Sequence, residues 1–189
     1  VAKSTLHATS ALNGFHQTWD GVELSEVTNK ALVSIAVPLK GEAQFQTAMK
    51  KAFEADVPET GASSFSKDKS KQFLGLQKDQ LFAVFDREDD YPTSVISEAL
   101  SDKGYYTDQS DSWVVLRLQG IKCRKALERI CPLNLHQDVF AINEVARTTM
   151  EHLAAIIVRD DKDSFILMSP RSSAHSFLHA IETSVKNIS

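Results

Sequence analysis

Cys131 stands five residues before His136 in the stretch "ERICPLNLHQDVFAI", residues 128–142, the pairing of residue types that a thiol nucleophile and its base require. A catalytic thiol needs a depressed pKa and a base within hydrogen-bond reach. The local pattern opposes both. Cys131 falls at the end of an expected helix, directly before Pro132, where the helix dipole is negative and disfavours a thiolate. Nearness of His136 along the chain does not place its ring. The reading favoured here is a packed cysteine and a histidine bonded to the local backbone.

A metal site would draw on Cys123, Cys131, His136 and His152. Structural zinc sites bring their ligands in close pairs, and an eight-residue cysteine spacing fits none of the usual patterns. His175 and His179 are four residues apart on an expected helix and share one face, which suits joint metal binding. A zinc protease needs Glu after the first histidine; Ser176 stands there. Arg171, Ser172 and Ser173 open the same helix and could hold an anion, although ordinary helix initiation explains them. Asp86, Glu88, Asp89 and Asp90 read as a solvated acidic turn. Phosphate-cradling glycine loops and nucleophile elbows are absent from the sequence. No catalytic, cofactor-binding or metal-ligating residue is therefore assigned to this chain.

The elements that would position these residues follow from periodicity. A Val/Ile-rich strand at "KALVSIAVPL" precedes a helix with Ala43, Phe45, Ala48, Met49, Ala52 and Phe53 on one stripe. After a polar loop over 59–71, a hairpin pairs Phe73–Leu76 with Leu81–Phe85 across "QKDQ". A second helix, capped by Thr93 or Asp90, buries Val95, Ile96, Ala99 and Leu100 and stops at Gly104. "YYTDQSDSWVVLRLQG" reads as two strands around a tight polar turn, the second buried on both faces. A short third helix turns Ile121, Ala126, Leu127 and Ile130 inward and ends at Pro132. Three strands follow, the last two joined by "DDKD". A final helix carries Ala174, Phe177, Leu178, Ile181 and Val185 as its stripe.

The order is β-α-β-β-α-β and then β-α-β-β-β-α, an α+β architecture of two-layer α/β subdomains with mostly antiparallel sheets. Residues 1–28 lack a period and are expected as an ordered, irregular arm lying on a partner. Residues 29–189 are expected as one unit of two subdomains, about 29–110 and 111–189.

Bulk properties narrow the classes further. The chain has 189 residues, 42% hydrophobic and 24% charged, with formal net charge −4. That balance offers nothing for capturing nucleic acid or anionic membranes. No apolar run approaches the roughly 20 residues of a membrane span, and "VAKSTLHATS" has no apolar core to act as a signal peptide. A cytoplasmic location is the expectation. Cys123 and Cys131 are expected as free thiols, because an intact helix would hold them about 12 Å apart, beyond the roughly 7 Å that a disulfide allows.

Five short runs carry a family resemblance. These are Leu118–Gly120 ("L-x-G"), Cys131–His136 ("C-P-L-N-L-H"), Phe140, Ala146–Thr148 ("A-x-T") and Phe165–Ala174 ("F-x-L-x-x-P-R-S-x-A"), with "SALNGF" at 10–15. Together they resemble the γ subunit of heterotetrameric sarcosine oxidase, with Asn134 where that family usually has Asp. The match is specific over 113–181 and loose over 30–110. The resemblance implies a folate-binding-domain-like fold, shared with aminomethyltransferases of the glycine cleavage type. It implies a non-catalytic subunit of a complex that demethylates sarcosine oxidatively to glycine, with partner α, β and δ subunits and chief contact on α. FAD, FMN, NAD, zinc and tetrahydrofolate are implied for those partners, none for this chain. Phe15, Trp19 and Tyr91 would then be interface anchors. Two other readings stand beside it: a stand-alone folate-binding one-carbon transferase, and a scaffold without ligand.

Overall fold

A computed structural model describes residues 9–88 and 90–188. Two antiparallel sheets lie face to face, each with helices on its outer side. The first contains β1 (His16–Trp19), β2 (Val22–Glu26), β8 (Trp113–Gln119), β9 (Val145–Met150), β10 (Leu153–Asp161) and β11 (Ser164–Pro170), in the spatial order β1-β2-β8-β11-β10-β9. The second contains β3 (Lys30–Ala36), β4 (Ser63–Phe65), β5 (Lys71–Gln77), β6 (Gln80–Asp86) and β7 (Tyr105–Asp108), in the order β4-β5-β6-β3-β7. Helices α1 (Glu42–Phe53) and α2 (Pro92–Leu100) cover the second sheet, and α3 (Cys123–Leu127) and α4 (Ala174–Lys186) cover the first. The expected α+β class with antiparallel sheets under helices is the observed one.

Strand parity explains the near-continuous apolar runs. On β3, Ala31, Val33 and Ile35 face α1 and α2, while Leu32 faces the other sheet. On β8, Val114, Leu116 and Leu118 face the α3–α4 side, while Val115 and Trp113 face inward. A strand buried on both faces needs apolar residues at every position, not at alternate ones. The inner layer joins Leu32, Leu74, Leu76 and Phe82 to Val115, Ile156, Val158 and Met168. Helix α4 seats Ala174, Phe177, Leu178, Ile181 and Val185 on its sheet, as its 3.6-residue stripe requires. Its buried Ser184 Oγ donates to the Ala126 carbonyl at 2.6 Å, tying α4 to α3.

Several expectations are corrected. The described part of the N-terminal arm is a hairpin, β1 paired with β2, and β2 pairs with β8. It completes the sheet otherwise built from the C-terminal half. The polar loop over 59–71 contains β4, paired with β5. Strands β7 and β8 do not form a hairpin: β7 pairs with β3, and the chain then crosses to the other sheet. Neither Thr93 nor Asp90 caps α2; Tyr91 is its N-cap residue, without a side-chain bond, and Pro92 supplies the first-turn geometry. Ala99 is exposed, not buried. Ile121 points outward, 81% exposed, because α3 begins only at Cys123 and spans five residues.

Candidate functional site

The segment 128–142 is a closed loop pinned from three sides. Asn134 Oδ1 accepts from the His136 amide at 3.0 Å, and the His136 carbonyl accepts from Val139 and Phe140 at 2.9 and 2.8 Å. An Asp at 134 could accept the same bond, so the departure from the family pattern leaves the turn intact. Leu135 is fully buried, and Cys131 and Phe140 join the same core. From the far side comes Arg159, itself only 3% exposed. Its Nη1 donates to the Phe140 carbonyl at 2.8 Å, its Nη2 to Lys162 at 2.9 Å and its Nε to Asp161 at 3.3 Å. A buried guanidinium satisfied by carbonyls is a structural clamp, fixing the loop to the β10–β11 turn.

Cys131 and His136 are not brought into chemistry. The His136 ring is exposed, and its Nδ1 accepts weakly from the Asp138 amide at 3.4 Å. Burial raises the Cys131 pKa above its ordinary value, against smaller opposing bonds from the Leu133 amide and the Thr148 hydroxyl. Burial, not helix polarity, is thus the main reason the thiol stays protonated; α3 ends four residues earlier at Leu127. Burial also pushes Cys123 up to about 11, with Asp163 adding to the effect. Both cysteines are free. Among the described residues, no cluster of three or more His, Cys, Asp or Glu side chains could hold a metal ion.

The remaining candidates are scattered. His152 lies in the β9–β10 turn with φ +70°. His175 and His179 are both exposed on α4, and His179 lines an open groove of about 390 Å³ with Arg129, Glu151 and Thr183. Asp86 is paired with Lys30 at 2.6 Å, and Asp90 is exposed; Asp89 lies outside the described residues. Ser172 and Ser173 fall in the 3₁₀ turn Arg171–Ser173, without a side-chain cap. Phe15 and Trp19 pack half-buried on their own core. Tyr91 is 75% exposed. Sequence reading missed Leu39, Tyr105, Val139 and Ile142, which are also exposed. Leu39 and Tyr105 belong to one end of the second sheet, where Tyr105 opposes Ala36.

A polar cleft of about 470 Å³ opens at one end of the inner layer. Lys30, Arg87 and Arg171 reach it from three separate elements, with Trp113 on one wall. Its rim is the loop 10–14, held by Glu26. One oxygen of Glu26 accepts from Ser10 Oγ and the Gly14 amide at 2.8 Å, and the other from the Leu12 amide at 3.0 Å. The "SAL" segment is thus fixed by a carboxylate on β2 that the sequence reading did not single out.

The other signature runs have equally local causes. Gly120 has φ +115°, and a Cβ there would stand 2.4 Å from the Gly21 carbonyl oxygen, so the strand end at "L-x-G" admits only glycine. Phe165, Leu167 and Ala174 are core residues, and Arg171 Nη2 donates to the Thr9 carbonyl at 2.5 Å.

No protein-family model matches the chain, and no curated protein sequence does. Among solved structures, the backbone is similar to glycine cleavage system aminomethyltransferase T from Bartonella henselae, with TM-score 0.60 and 12% identity. That match covers 85% of this chain and 45% of the aminomethyltransferase, so this chain spans under half of that protein. The molecule therefore has the aminomethyltransferase-like, folate-binding-domain-like fold. The backbone is also similar to heterotetrameric sarcosine oxidase from Corynebacterium sp. U-96, with TM-score 0.76 and 22% identity. That match covers 88% of this chain and 84% of that one, nearly end to end in both. Sequence motifs and backbone likeness thus point to the same fold.

Proposed function

We propose that this chain is a non-catalytic, γ-type subunit of a heterotetrameric sarcosine oxidase-like complex, which demethylates sarcosine oxidatively to glycine in the cytoplasm. The carrying observation is the near end-to-end likeness to one chain of such a heterotetramer. The residues behind the resemblance support the reading. Gly120, Cys131, Asn134, Leu135 and Phe165 close turns and fill cores, which is what an assembly subunit needs from its own sequence. The chief partner is the large α subunit, with β and δ completing the complex. FAD, FMN, NAD, zinc and tetrahydrofolate belong to those partners. Exposed Tyr91, Leu39 and Tyr105 are available to bury on assembly.

Co-expression with two large flavoprotein-type subunits and a small cysteine-containing one tests this directly. The chain should co-purify in stoichiometric amount, while the isolated chain holds no flavin and turns over no sarcosine. Its absence from the purified complex would end the proposal. The likeness to an aminomethyltransferase favours one second reading, a stand-alone folate-binding transferase. Micromolar binding of tetrahydrofolate to the isolated chain would select it instead.

A further inference from the structure

The loop 10–14 carries a reactive pair that the subunit reading leaves without a use. Asn13 is followed by Gly14, whereas Asn29, Asn134, Asn143 and Asn187 precede Lys, Leu, Glu and Ile. The side-chain amide of an asparagine is open to attack by the main-chain nitrogen of the next residue. A glycine at that place offers no side chain to hinder the approach. Asn13 and Gly14 are both exposed, both have positive φ, +54° and +71°, and a Cβ at Gly14 would meet nothing within 4 Å. Crowding therefore does not protect Asn13. The Gly14 nitrogen is instead held by its hydrogen. Its N–H donates to Glu26 Oε2 at 2.8 Å and to Ser10 Oγ at 2.9 Å. Ser10 Oγ in turn donates to the same carboxylate oxygen at 2.8 Å.

We infer that Asn13 is a site of spontaneous deamidation, and that Glu26 holds it closed in the folded chain. In the reaction the Gly14 nitrogen bonds to the side-chain carbonyl carbon of Asn13. The side-chain nitrogen leaves as ammonia, taking up the Gly14 hydrogen. Water then opens the cyclic imide at either carbonyl, giving aspartate or isoaspartate with no oxidation or reduction. The nitrogen attacks only once it has lost its hydrogen. Glu26 opposes that loss twice, because it accepts the hydrogen and because its negative charge disfavours a second one beside it. The same bonds fix the peptide that must turn for the ring to close. The product alters the loop, which is anchored on both sides of Asn13. Leu12 is buried, with its amide on the other Glu26 oxygen at 3.0 Å, and the Phe15 carbonyl accepts from the Glu26 amide at 2.7 Å. Isoaspartate lengthens the main chain between these anchors by one atom, so the bonds to Glu26 cannot all re-form.

The test incubates the full-length chain in warm, mildly alkaline buffer, folded or unfolded in guanidinium chloride. Conversion of each asparagine to the acid is followed by peptide mass spectrometry. In the unfolded chain Asn13 should convert before the other asparagines, and folding should slow it by more than about tenfold. Glu26→Gln removes the charge and one of the two acceptor oxygens. It should speed conversion in the folded chain about tenfold, with unchanged circular dichroism as the check on folding. Hydrogen exchange supplies a second readout: the Gly14 amide, protected in wild type, should exchange freely in Glu26→Gln. Equal Asn13 rates in the folded and unfolded chain would overturn the inference, as would earlier conversion of another asparagine in the unfolded chain. So would a folded Glu26→Gln variant that converts at the wild-type rate. If that variant does not fold, Ser10→Ala takes its place: a several-fold faster conversion supports the inference, and the wild-type rate overturns it.

Discussion

Two buried thiols and one buried guanidinium define what single residues do here. Cys123 keeps its proton to about pH 11 in the folded chain, chiefly through burial, whereas an unfolded cysteine loses it near about 8.5. Between those values the unfolded chain binds fewer protons than the folded one, so stability falls as pH rises through that window. Cys131 shifts in the same direction and adds to the fall. The unfolding midpoint in urea should therefore drop from pH 8.5 to pH 11 in wild type, and drop less steeply in Cys123→Ala. An unchanged slope would remove Cys123 from the account. Neither thiol should react with a disulfide reagent at neutral pH until the chain unfolds. Arg159 was the residue least legible in the sequence. In "VRDDKD" it directly precedes the charged turn "DDKD", yet it shares parity with Ala155 and Ile157, which face the α3–α4 core. That parity was the available signal. The partners it clamps, at Phe140 and Lys162, come together only once the loop has closed.

At the level of elements, glycine sets the joints. Gly120 ends β8 with φ +115° against the Gly21 carbonyl, where the first hairpin crosses the start of α3. Gly120→Ala should cost about 2 to 4 kcal/mol, from overpacking added to a disfavoured backbone region. Gly14 also has positive φ, +71°, but a Cβ there would meet nothing within 4 Å. Gly14→Ala should cost only about 1 kcal/mol, the backbone term alone. Urea unfolding of the two variants separates the effects, and equal costs would show that crowding at Gly120 is relieved elsewhere. Most elements were readable because their signals are local: apolar runs in β3, β8, β10 and β11, and 3.6-residue stripes in α1 and α4. The first hairpin was not. "HQTW" is mostly exposed, and only Val22 and Leu24 of β2 are buried, too few for a clear alternation. Nor could the sequence tell that β7 and β8, four residues apart, belong to different sheets. That depends on which edges are vacant, a property of the assembled layers.

For the whole molecule, the inner layer makes the two sheets one folding unit. Leu74 of β5 is fully buried in it, opposite side chains from β8, β10 and β11. Leu74→Ala should cost about 2 to 5 kcal/mol. It should also lower the transition seen by tryptophan fluorescence, although both tryptophans lie in the other sheet. A fluorescence transition that stays put while circular dichroism shifts would mean that the sheets unfold separately.

The layers also meet at one backbone seam. Ala62 bridges Glu144, and the Val145 amide donates to the Gly61 carbonyl at 3.0 Å. Beyond it, Arg147 of β9 reaches across to Gln80 at 3.3 Å. Strand β9 is the outer strand of its sheet, and such a strand offers unpaired amides and carbonyls to any passing chain. The seam occupies one end of that row, and a charged side chain guards the middle. The backbone contact between the two layers is therefore also a guard against strand-to-strand aggregation.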